Sequence, residues 1–118
     1  MGCGKLLEGD AKTMWNSLKK LMALPPETKL YCGHEYTNAN CRFALTIEPE
    51  NEALRARAAE VAALAEAGEP ALPTTNGQEL ATNPFLRPSS PAIQRRLGME
   101  GKELHEIFGE IRRRKDRF

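Results

Sequence analysis

Aromatic residues are scarce in this chain of 118 residues: one Trp, two Tyr and four Phe. With a formal net charge of only +1, so few rings exclude a nucleic-acid surface built on base stacking along a basic groove. No apolar run approaches the roughly 18 residues of a membrane-spanning helix, and no charged start leads into the apolar stretch of a secretory leader. Cysteine is limited to Cys3, Cys32 and Cys41, an odd number at irregular spacing, which argues against a disulfide framework and for a reducing compartment. These absences together lead to the expectation of a soluble cytoplasmic protein that contacts neither nucleic acid nor membrane. Histidine is limited to His34 and His105, too few for a metal centre built on imidazoles alone. Internal repeats and low-complexity tracts are missing as well.

What is present is mostly helical patterning. Asp10 is a good N-cap, and Met14, Trp15, Leu18, Leu21 and Met22 recur on one face of a helix expected over 11–23, which Pro25 and Pro26 end. Lys29 to Cys32 reads as a short strand before Gly33. A second helix is expected from Thr37 to about Thr46, burying Cys41, Ala44 and Leu45. Asn51 can cap a third, with Leu54, Ala58, Val61 and Ala65 as its stripe, Leu64 alongside and Gly68 closing it. Residues 69 to about 79, with Pro70, Pro73, Asn76 and Gly77, read as irregular. Pro88-Ser89-Ser90-Pro91 opens a short helix to Leu97, and Leu104, Ile107, Phe108 and Ile111 stripe the last one, with Phe118 beyond.

The segment Tyr31-Cys32-Gly33-His34-Glu35-Tyr36-Thr37 places a histidine just past a strand, where side chains on a rigid element face a cleft. It resembles the CGHEYT motif of the hydroxyacylglutathione hydrolases (glyoxalase II), in the metallo-β-lactamase superfamily. Four more pieces match that family in order: Gly2-Cys3-Gly4-Lys5 with Glu8-Gly9, then Glu48-Pro49 before a helix, Thr82-Asn83-Pro84-Phe85-Leu86-Arg87, and the closing Arg112-Arg113-Arg114-Lys115-Asp116-Arg117-Phe118. Five ordered matches along the chain make the resemblance specific.

The resemblance implies an α+β, mostly helical fold: the C-terminal portion of an αββα metallo-β-lactamase sandwich, remnant in 1–36, followed by a helical glutathione-binding domain over 37–118. It implies hydrolysis of S-(2-hydroxyacyl)glutathione thioesters such as S-lactoylglutathione, by a hydroxide on two divalent metal ions, zinc, iron or manganese. The family's T-H-x-H-x-D-H ligand motif does not occur, so the chain is expected to be a C-terminal piece, inactive alone, with His34 as its single metal ligand and neither metal ion retained by it alone. On the substrate side Lys5, Arg112 and Lys115 match the cations that hold the glycine carboxylate of glutathione, and Tyr36 the tyrosine that binds the tripeptide backbone. Leu7 departs from members that carry a second tyrosine there. With most partner strands missing, the first thirty-odd residues are expected to dock loosely, to self-associate or to pair with an N-terminal half.

Blander readings stand beside these. The run Arg112 to Lys115 also suits a solvated helix end that complements the helix dipole, and Arg112 and Lys115, three apart, share a face either way. Cys32, His34 and Cys41 offer a structural-zinc alternative, although C-x-H-x6-C matches no common zinc spacing. A non-catalytic module that binds glutathione or another anion is the remaining one. His105 reads as exposed, Trp15 and Phe43 as core, and Cys3 and Cys32 as small buried hydrophobes.

Overall fold

The structure, a computed structural model, describes residues 10–30, 37–71 and 74–118. Helix α1 (Ala11–Met22) begins at Asp10, whose side chain accepts from the Thr13 N–H at 2.8 Å, as its N-cap role requires. It is followed by β1 (Lys29–Leu30), α2 (Thr37–Ile47), α3 (Glu52–Glu66), β2 (Thr74–Thr75), α4 (Asn76–Thr82), a 3-10 turn (Pro84–Leu86), α5 (Pro91–Leu97) and α6 (Leu104–Arg117). The fold is mostly helical, and among the described residues the sheet has two antiparallel strands, with Lys29 opposite Thr75 and Leu30 opposite Thr74.

Two apolar clusters hold the helices. One joins Trp15 of α1, Phe43 and Ile47 of α2, Phe85 of the 3-10 turn, Ile93 and Leu97 of α5, and Ile107, Phe108 and Ile111 of α6. The other joins Cys41 and Ala44 of α2 to Leu54 and Val61 of α3 and to Ala71. Helix α2 is therefore the wall between them. Each large side chain buried here contributes about 1.5–3 kcal/mol of transfer free energy.

The end of α2 carries the main polar junction. Glu48, 5% exposed, accepts from Arg87 Nε at 2.9 Å and Asn51 Nδ2 at 3.0 Å on one oxygen. Its other oxygen accepts from Arg87 Nη2 and Ser90 Oγ, both at 3.0 Å. Asn51 caps α3 through the Leu54 N–H and also donates to the Ala81 carbonyl, while Arg87 Nη1 donates to the Leu80 carbonyl. One carboxylate thus ties α2, the start of α3, the end of α4 and the start of α5. A charge so buried needs every one of these donors.

Residues 74–79 are more ordered than the sequence suggested, since they form β2 and the start of α4. The overlooked signal is Thr75-Asn76-Gly77-Gln78, a capping-box spacing in which Thr75 Oγ1 accepts from the Gln78 N–H. This segment also closes the exit of α1. Asn76 Nδ2 donates to the Leu24 carbonyl at 2.8 Å, and the Gly77 N–H donates to the Pro26 carbonyl at 2.8 Å. A Cβ at Gly77 would lie 3.1 Å from Pro26 Cβ and 3.2 Å from its carbonyl oxygen, so the approach suits glycine.

Other corrections concern faces. Leu21 is 46% exposed and Ala65 exposed, because α1 and α3 each turn a narrower stripe inward than their apolar residues suggest. Leu45 is half-buried, on the flank of α2. The α3 stripe instead includes Arg57, 6% exposed, whose guanidinium donates to the Ala71 carbonyl and to Glu60, both at 3.0 Å. Lys29 and Leu30 are not unpaired, since β2 supplies their partner, and Trp15 is buried at 5% within the core shared with α6. Tyr31 and Cys32, the rest of the expected strand, lie outside the described residues.

Burial pushes the Glu48 carboxyl up, but the bonds from Arg87, Asn51 and Ser90 outweigh it and hold it below its ordinary value of 4.5. A folded-state value below the unfolded one means that the stabilisation is complete above pH 4.5 and is lost as pH falls through the lowered value. Urea titrations between neutral and acid pH should show this loss, and Glu48→Gln should flatten the acid limb while lowering stability at pH 7 by about 3 kcal/mol.

Candidate functional site

Helix α6 places the closing basic run. Its inward face, Ile107, Phe108 and Ile111, is fully buried, which carries Arg112 to the core margin and Lys115 one turn on. Arg112 is not a solvated surface residue: it is 4% exposed. Its Nε and Nη2 donate to Asp116 Oδ1 at 3.0 and 2.9 Å, and its Cζ lies 5.1 Å from the centre of the Phe85 ring. Phe85 is set by the 3-10 turn, where Asn83 Oδ1 accepts its N–H at 3.0 Å. Lys115 Nζ lies 5.9 Å from the ring centres of both Phe43 and Phe118.

These rings form one cluster. Phe43 stacks on Phe85 at 6.1 Å, Phe85 meets Phe108 edge-on at 5.9 Å, and Phe118 meets Phe43 edge-on at 5.6 Å. Arg112 and Lys115 thus rest on neighbouring faces of one aromatic cluster, as cations do on ring quadrupoles. The remaining arginines are of another kind. Arg113, Arg114 and Arg117 gather round Glu110 at 3.5, 3.6 and 3.5 Å, loose pairs on the outer face that contribute little.

Lys5, His34 and Tyr36 lie outside the described residues. Cys41 sits among Ala44, Leu54, Val61 and Ala71, and burial pushes its thiol up, towards the protonated form that zinc does not bind. Among the described residues, three potential metal ligands converge only at Glu103, His105 and Glu106. They stand at the start of α6, where the helix dipole disfavours a cation, some two turns from Arg112. The described residues therefore do not make a dinuclear metal site. Also among them, no helix is long and apolar enough to cross a membrane.

Sequence reasoning singled out Arg112 and Lys115 but not the side chains on which they rest. The Arg112 to Asp116 spacing of i, i+4 was legible as an ion pair, whereas Phe43 and Phe85, remote in sequence, carried no signal for their place under the two cations.

The described residues thus form a helical module with two ring-seated cations towards the end of α6. Residues 35–118 match the family model described as hydroxyacylglutathione hydrolase C-terminus, and the chain belongs to that family. Over its whole length it is 58% identical to the hydroxyacylglutathione hydrolase of Methylococcus capsulatus (strain ATCC 33009 / NCIMB 11132 / Bath), covering 46% of that protein. It is likewise 58% identical to the one from Rhizobium johnstonii and 57% identical to the one from Maricaulis maris, covering 46% of each. The chain thus spans about half the length of the curated relatives it matches.

The two cations should separate in their effect on stability. Arg112→Ala, which removes a buried guanidinium with its ring contact and its pair to the exposed Asp116, should cost about 2 kcal/mol in urea unfolding, and Lys115→Ala less than about 0.5 kcal/mol.

Proposed function

We propose that the chain supplies the glutathione-binding part of a hydroxyacylglutathione hydrolase, an enzyme that cleaves S-lactoylglutathione and similar thioesters to glutathione and a 2-hydroxy acid. The observation that carries this reading is the family match over residues 35–118, joined to whole-chain identity with proteins of that name. Arg112 and Lys115 hold the glycine carboxylate of the substrate, with Lys5 as a third cation and Tyr36 bonded to the tripeptide backbone. Lys115, with Arg112 and its Asp116 partner one turn away on the same aromatic cluster, is suited to a carboxylate.

Divalent metal ions, zinc, iron or manganese, belong to the same reading, with His34 as one ligand. When bound they supply the hydroxide and polarise the thioester carbonyl. A single imidazole does not retain such an ion, so the part played by this chain's own side chains is to bind and orient. On this reading residues 1–36 belong to a metallo-β-lactamase sandwich and 37–118 to its helical partner domain, and the packing of Trp15 against Phe108 lies at their junction. A cytoplasmic location is part of the proposal and rests on composition.

Glutathione should be retained by the immobilised chain, be displaced by S-lactoylglutathione, and be held less well after Lys115→Ala. The chain alone, supplied with zinc, iron or manganese, should give no turnover. A chain that retains no glutathione would overturn the reading, and metal-dependent turnover by the chain alone would overturn its restriction to binding.

A further inference from the structure

We propose that Phe118 is a positioning residue for substrate: with Phe43 it seats the Lys115 ammonium on ring faces instead of beside an acid, leaving its charge uncancelled for the ligand carboxylate. The inference rests on the glutathione-binding reading and adds a residue to it.

The first support is a contrast within α6. Arg112 faces Asp116 at 2.9 Å, and Arg113, Arg114 and Arg117 face Glu110. Lys115 alone of this run makes no ion pair among the described residues. The second is where the rings stand. Phe43 is 2% exposed and fixed in the core, and Phe118, although 63% exposed, meets it edge-on at 5.6 Å with its own centre 5.9 Å from Lys115 Nζ. The chemistry follows from the kind of partner. A carboxylate beside Lys115 would have to be displaced by an incoming carboxylate, whereas a ring quadrupole orients the ammonium without neutralising it. Phe118 therefore sets where the charge points and not whether the helix folds.

The test uses the whole chain, Phe118→Leu, which keeps apolar bulk without a ring, and Phe118→Trp, which restores a ring. Glutathione and γ-glutamylcysteine, which lacks the glycine carboxylate, are the probes, and NMR reads both binding and the side-chain resonances of Lys115. Phe118→Leu should abolish part of the ring-current shift on the Lys115 side chain and weaken glutathione about two- to five-fold. Phe118→Trp should restore both, and neither variant should alter γ-glutamylcysteine binding or the thermal midpoint. Glutathione affinity unchanged in Phe118→Leu, or weakened equally for the two probes, would overturn the positioning role alone. An unaltered chain that binds neither probe would overturn the glutathione reading, and this inference with it.

Discussion

The carboxylate of Glu48 is the point on which the arrangement turns. It is buried and charged, a combination that water would ordinarily forbid, and it is tolerated because Arg87, Asn51 and Ser90 together satisfy both oxygens. Each donor stands at the boundary of a helix, so satisfying the charge also sets how those helices meet. Arg87 immediately follows the 3-10 turn that presents Phe85. The junction therefore governs the height and tilt of the ring on which Arg112 rests.

From that ring the organisation runs outward in one direction. Phe85, Phe43 and Phe108 belong to the core, yet their outer faces serve as the floor for two cations at the end of α6. Packing and the seating of the two cations thus use the same side chains. Arg112 has the rigid seat, with a carboxylate partner and almost no exposure, while Lys115 has the adaptable one. A planar guanidinium and a flexible ammonium differ in the same sense.

Much of this was legible in the sequence, for local reasons. The caps at Asp10 and Asn51, the stripe of α6 and the proline stops depend on neighbours a few residues away. The N-terminus of α4 was equally local, and was obscured by Pro70, Pro73 and Gly77 around the Thr75 to Gln78 cap. What sequence could not supply was long-range pairing: Lys29 and Leu30 against Thr74 and Thr75, Glu48 with Arg87, and Phe85 beneath Arg112. Arg57 illustrates the same limit, since a charged residue enters an apolar stripe only because the Ala71 carbonyl, in a distant segment, is there to receive it.

Helix α2 carries a further consequence. With one cluster on each side, it presents to solvent only Asn38, Arg42 and Thr46, spaced four apart along a single narrow line. Every other position along it is at least partly enclosed. Sequence drift in this helix is thereby channelled into three positions, and a change of volume at Phe43 is transmitted through a shared backbone to the aliphatic side at Cys41 and Ala44. The two halves of the interior are mechanically one piece, and neither can be repacked without the other.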